Sequence, residues 1–385
     1  MSKDIENKRQ KLNGPEPEIK KVLEKTSGFK VMDTIITAPN GLWSVAISKN
    51  DKMIATGDNS SEGKVRIFSV NGESNTELKF KLEKEEKLHS ATIQCLVFSD
   101  DDRHLLSCSD DETIVLSDAN TLQKIKTFLG HIDDVNSVFF KSENEIVSCS
   151  WDDNIIVWDI NSGNPIGFVN TGNSCLSLAL SPNKEMIVVG QRGGNIMAYE
   201  STIFKEIFNH ALRKITDLPK KHSMITWTLC FTPNGKKLAA FSSDGTINVY
   251  EVLSNKKFNH LRTLKGHTSW VYGGAISPNG EIIASSSYDK TIKLWDINTG
   301  DCVQTIRSHT DAVVQVAFSH SGSFLASVGH DCTLRITVNE DVAKLRNEKV
   351  CVILSLAKST IFIPADICQE YLEFVNAVHF KYSMG

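Results

Sequence analysis

Five histidines stand at nearly one distance before a position suited to a tryptophan, and that register constrains the fold more than any other feature. His89, His131, His222, His267 and His309 are followed 28, 27, 28, 28 and 28 residues later by Ser117, Trp158, Tyr250, Trp295 and Thr337. Six residues before each of these lies an aspartate: Asp111, Asp152, Asp244, Asp289 and Asp331. Successive histidine-equivalent positions, counting Ala38 and Thr171 where the histidine is replaced, are 40 to 51 residues apart. A repeat of that length is one four-stranded sheet of a propeller, which cannot bury its faces alone and so stacks on neighbours around a ring.

From about residue 29 to 339 the pattern is β throughout. After each histidine, apolar residues recur at offsets four, seven and nine, as in Ile93, Leu96 and Phe98, or Val313, Val316 and Phe318. The change from a three-residue to a two-residue step predicts a bulge at the start of an otherwise alternating strand. Turn sequences such as SPNG (277–280) and TPNG (232–235) follow. A later strand is clearest in TIKLWD (291–296), NIIVWD (154–159) and TINVYE (246–251). LWSVAIS to VRIFSV (42–70) and CLSLALS to NIMAY (175–199) fit the same frame without the histidine, which makes seven blades. Threonine followed by an apolar residue precedes several histidines, and Thr34-Ile35 repeats it before any blade begins. The seventh blade ends at Thr337 without a good fourth strand, so the N-terminal strand is expected to complete it and remove an open sheet edge.

Over these residues the chain resembles the WD-repeat β-propeller family. GHTSWVYGGAISPNGEIIASSSYDKTIKLWD (266–296) matches the family pattern at every signature position, and GHIDDVNSVFFKSENEIVSCSWDDNIIVWD (130–159) nearly so. The resemblance implies an all-β, seven-bladed propeller. It also implies a hydrogen-bonded His–Ser–Asp–Trp network in each blade: His267, Ser285, Asp289 and Trp295, and again His131, Ser148, Asp152 and Trp158. Ser117 and Thr337 replace the tryptophan, and Thr171 and Ala38 the histidine. Those blades are expected to rely more on apolar packing.

The chain of 385 residues is 41% hydrophobic and 23% charged, with a net charge of −4, which provides no global attraction to nucleic acid or anionic membrane. Residues 1–28 read as a polar tail with a short helix in PEPEIKKVLEK, and the N-terminus has no signal-peptide core. Nine cysteines include no CxxC pair. Cys95, Cys108, Cys149, Cys175, Cys230 and Cys302 lie in apolar runs and read as buried reduced thiols. Residues 340–385 form an extension in which IPADICQEYLEFV (363–375) reads as an amphipathic helix. The segment 349–375 resembles a SOCS-type box, which would make the protein a substrate receptor of a ubiquitin ligase; packing against the propeller is the other reading. Neither of the WD dipeptides in WDIN (158–161 and 295–298) continues as WDxR, against the usual cullin receptor of this fold.

Trp158 and Trp295 belong to the blade network, but four of the six tryptophans do not. They fall at positions that, by the resemblance, line the top rim: offsets three and five from the histidine, and the residue before the turn aspartate. Those positions hold Trp43, Gln94, Asp110, Asp134, Asn136, Trp151, Arg192, Trp227, Ser243, Trp270, Tyr272, Tyr288, Val314 and His330. Blades five, six, seven and one adjoin, so Trp227, Trp270, Tyr272, Tyr288 and Trp43 should form one aromatic arc. Tryptophan and tyrosine are common interface anchors. The expected partner-binding residues are therefore Trp43, Trp151, Arg192, Trp227, Trp270, Tyr272, Tyr288 and His330. A single rim arginine does not suit a phosphopeptide reader. There is no phosphate loop, HExxH or nucleophile elbow, and His–Ser–Asp groups recurring once per blade are structural. The expectation is a non-catalytic scaffold without cofactor, metal or small-molecule substrate. It would bind other proteins through its top face, in the cytoplasm or nucleus, with no membrane and no direct nucleic-acid contact. The run 266–336 also resembles the WD-repeat subunits of superkiller RNA-decay complexes, which would make the protein part of an RNA-associated assembly.

Overall fold

The computed structural model describes residues 28–36, 41–71, 78–203 and 212–339. The polar tail, Ala38 and the C-terminal extension lie outside the described residues. Twenty-eight strands, numbered β1 to β28 along the chain, form seven antiparallel four-stranded sheets, and the described residues include no helix. Six sheets are consecutive in sequence. The seventh has the order β1 (Phe29–Ile36), β28 (Thr333–Asn339), β27 (Phe324–Gly329), β26 (Val313–Phe318). Phe29 pairs with Asn339 and Ile36 with Thr333, so the first strand closes the ring as the threonine pattern predicted.

The strand that opens each blade lines the axis. These are β2 (Leu42–Ile47), β6 (Ile93–Phe98), β10 (Val135–Phe140), β14 (Cys175–Leu180), β18 (Thr226–Phe231), β22 (Val271–Ile276) and β26. Each touches the next, and β26 touches β2. Apolar layers fill every interface between blades; Leu42, Ile54 and Phe68 of blade one, for example, pack on Phe324, Leu334 and Ile336 of blade seven. At the axis the same interfaces carry hydrogen bonds that the side chains of one opening strand make to the backbone of its neighbour. Ser44 Oγ donates to Ile93 O at 2.8 Å, Ser177 Oγ to Thr226 O at 2.9 Å and Thr228 Oγ1 to Tyr272 O at 2.9 Å. Burying a polar side chain costs little when its partner is built into the next blade.

Within blades, the turn aspartate uses both oxygens. In Asp289, Oδ1 accepts the Thr291 amide at 3.0 Å and closes the turn, while Oδ2 takes His267 Nδ1 at 2.7 Å. With Nδ1 protonated, His267 Nε2 is an acceptor. Ser285 Oγ donates to it at 2.7 Å and accepts the Trp295 indole N–H at 2.8 Å. Blade three repeats this with His131 Nδ1–Asp152 at 2.7 Å, and His131 and Trp158 on Ser148 at 2.8 Å each. The glycine before the histidine is tied to the indole. A Cβ on Gly130 or Gly266 would lie 3.0 or 3.1 Å from the ring of Trp158 or Trp295, and both glycines have positive φ. Blades whose tryptophan is replaced carry Leu88, Lys221 and Ser308 there instead.

Blades two and seven depart from the apolar-packing expectation. Losing the indole leaves the remaining network in place: His89 bonds Ser107 at 2.8 Å and Asp111 at 3.1 Å, and His309 bonds Ser327 at 2.8 Å and Asp331 at 3.0 Å. The histidine needs only the serine and the turn carboxylate, and both are present. Blade one, without the histidine, buries Arg66, whose guanidinium bonds Asp58 and, at 2.5 Å, Glu85. Burial pushes the Asp58 carboxyl up and the Arg66 contacts oppose it. Blade four substitutes an amide, with Gln191 Nε2 donating to Thr171 Oγ1 at 3.0 Å. Cys108, Cys149 and Cys175 are buried free thiols, Cys95 and Cys230 are half-buried, and Cys302 is exposed because it opens an outer strand.

Candidate docking site at the channel mouth

All seven opening strands break register after their first residue, at Leu42/Ser44, Ile93/Cys95, Val135/Ser137, Cys175/Ser177, Thr226/Thr228, Val271/Gly273 and Val313/Gln315. This is the bulge expected from the change of step. The skipped residues, at offset five, are Trp43, Gln94, Asn136, Leu176, Trp227, Tyr272 and Val314. Every one of them lines the cavity at the axis. A bulge re-aims a side chain that regular pleating would bury in the sheet.

The other two rim positions are brought to the same place by the backbone. In every blade the residue before the turn aspartate, or its equivalent, donates its amide to the carbonyl at offset three. Examples are Trp151 to Asp134 at 3.0 Å, Tyr288 to Trp270 at 2.9 Å and His330 to Ala312 at 3.0 Å. Side chains then meet across the loop. Trp227 Nε1 donates to Ser243 Oγ at 2.6 Å, Trp151 Nε1 to Asn136 Oδ1 at 3.1 Å and Gln94 Nε2 to Asp110 Oδ1 at 2.6 Å. The indole N–H groups are thereby satisfied while the ring faces stay available.

The five rings of blades five, six and one are continuous. Tyr272 is the hub, with ring centroids 5.4 Å from Trp227, 5.8 Å from Trp43, 6.2 Å from Trp270 and 6.4 Å from Tyr288. His330 of blade seven stacks on Trp43 at 5.8 Å. Exposure rises outward: Tyr272 is 9% accessible, Trp43 and Trp227 are half-buried, and Trp270 and Tyr288 are 44% and 49% accessible. Only the outer two rings therefore present much surface; the inner three set their positions. Trp151 and Arg192 stand apart from this arc, on blades three and four, with the guanidinium 5.4 Å from the ring centroid.

The axial cavity holds about 160 Å³, well below the ~300 Å³ at which small-molecule pockets begin. No group of three or more histidine, cysteine or acidic side chains among the described residues is arranged to hold a metal, and no helix among them is long and apolar enough to cross a membrane. What remains at the mouth is a face of aromatic rings, amides and carboxylates.

The family model for the WD domain, G-beta repeat, matches residues 30–69, 80–118, 122–159, 258–296 and 300–337. The chain belongs to the WD-repeat family. A model for the WD40 domain of anaphase-promoting complex subunit 4 matches residues 178–274, across blades four and five, where the general repeat model leaves a gap. Similar proteins include the nuclear distribution protein nudF of Aspergillus niger, 28% identical over 234 residues that make up 57% of this chain and 53% of that protein. WD repeat-containing protein 26 homolog of Arabidopsis thaliana is 32% identical over 22% of this chain and 14% of its own length. Mouse WD repeat-containing protein 1 is 34% identical over 21% of this chain and 14% of its own. The chain thus spans at most about half the length of these curated relatives. WD-repeat propellers generally serve as non-enzymatic interaction scaffolds.

Two features of the mouth escaped the sequence reading. Asp110 and Asp134 were placed on the rim one by one, but blades two and three adjoin, so they lie together with Glu112 and Asp133. Leu176 and Asn59 also occupy mouth positions, equivalent to Tyr272 and Tyr288 when counted from Thr171 and Ala38.

Proposed function

We propose that this protein is a non-catalytic scaffold, in the cytoplasm or nucleus, that docks a peptide segment of a larger subunit on its aromatic arc. The observation that carries the reading is the exposure of Trp270 and Tyr288 at the end of an otherwise packed chain of rings. Large rings left half-open at a concave mouth are costly unless covered, and rings with fixed neighbours lose little freedom on binding.

The test is affinity purification with Trp270→Ala and Tyr288→Ala proteins that keep the wild-type melting curve. Each substitution is expected to weaken the docked partner by at least about 2 kcal/mol, roughly thirtyfold. Every partner retained at wild-type affinity by both variants would remove the proposal.

A further inference from the structure

Charge is divided around the mouth as unevenly as the rings are. Next to the arc, blades two and three present Asp110 and Asp134 at rim positions, with Glu112 and Asp133 beside them in sequence. None of these four carboxylates forms an ion pair among the described residues. Asp110 is held by the Gln94 amide and Asp133 accepts the Asp134 amide at 2.8 Å. Arg192, at the rim position of blade four, lies over the Trp151 ring. Burial, and then the charges of Asp110, Asp133 and Glu112, push Asp134 up to about 6. Crowded carboxylates of this kind gain when a cation arrives from outside. They do not converge on a metal site, and they repel phosphates, so a nucleic-acid backbone is disfavoured.

Resting on the docking reading above, we infer that the docked segment carries a lysine or arginine that seats against Asp110 and Asp134, beside an apolar or aromatic residue that covers Trp270 and Tyr288. The two halves of the mouth thereby read two different side chains of one peptide. The rings supply buried area, and the carboxylates supply orientation and reject acidic segments that the rings alone would accept.

The experiment uses the full chain as bait for a random peptide display library, together with Asp110→Asn/Asp134→Asn and Trp270→Ala/Tyr288→Ala double variants. Peptides selected on the wild type are expected to pair a basic residue with a large apolar one. The basic preference should disappear on the carboxamide variant while the apolar preference stays. A synthetic copy of the strongest peptide should lose up to about fivefold in affinity when its basic residue becomes norleucine. Neutral or acidic peptides that need Trp270 and Tyr288, or a basic preference that survives on Asp110→Asn/Asp134→Asn, would overturn this inference and leave the docking reading standing. Peptides indifferent to the ring variant, or no binders above an unrelated bait, would overturn both.

Discussion

Alanine in place of Ser148 removes one oxygen from a site where two buried groups depend on it. The His131 Nε2 and Trp158 Nε1 atoms each lie 2.8 Å from Ser148 Oγ, and both side chains are buried. Each group left unpaired costs about 1–3 kcal/mol, so Ser148→Ala should lose about 2–6 kcal/mol. Ser107 occupies the same position in blade two, where Ser117 stands in place of the indole. There Oγ serves His89 Nε2 at 2.8 Å and has only a long 3.5 Å approach to Val115 O. Ser107→Ala should therefore lose about 1–3 kcal/mol, half as much. The same pairing can be repeated with Ser285→Ala against Ser327→Ala, since Trp295 is present in blade six and Thr337 replaces it in blade seven. Urea unfolding of the four variants at pH 7 measures the differences, read as shifts in midpoint at unchanged slope. Equal losses in the blades with and without the indole would refute the idea that the serine is a two-partner hub.

The turn aspartates make stability depend on acid. Burial raises the pKa of Asp289, but the hydrogen bonds from His267, Thr291 and the Thr268 amide outweigh it and hold the carboxyl well below the usual range. A carboxyl depressed on folding contributes stability above its ordinary pKa of 3.8 and loses it as pH falls through that value toward the folded one. The gap in urea midpoint between wild type and Asp289→Asn should thus narrow from pH 7 to pH 3, and a constant gap would contradict this. At the axis, a Cβ on Gly274 would lie 2.1 Å from two carbons of the buried Phe241 ring. Gly274→Ala is expected to cost about 1–3 kcal/mol, with much of the loss recovered by Phe241→Leu in the double variant; thermal melts of the three proteins decide.

Much of the ring was legible because its signals are local and repeated. The bulge showed in the spacing of Ile93, Leu96 and Phe98, the blade frame in the aspartate six residues before each tryptophan position, and the closing strand in Thr34-Ile35. The substitutes for missing histidines were not legible, because Arg66 with Asp58 and Glu85, or Gln191 with Thr171, follow no repeated spacing. Their logic is burial, which one blade at a time does not reveal. The dependence of Gly130 and Gly266 on Trp158 and Trp295 was present in the sequence as co-occurrence, but its cause is a close approach of atoms far apart along the chain.

The amino-acid order by itself determined the number of sheets and the strand that joins the two ends, since both show as alternation and turn chemistry repeated within some fifty residues, while the rim positions followed from the family resemblance. Only the closed ring decided how exposed each ring face is and which charges become neighbours. Tyr272 is nearly covered while Tyr288 is half-open, and Asp110 and Asp134 come from different repeats. Exposure and electrostatic crowding depend on distances across blades, and those distances exist only after the apolar layers between the sheets have set the ring.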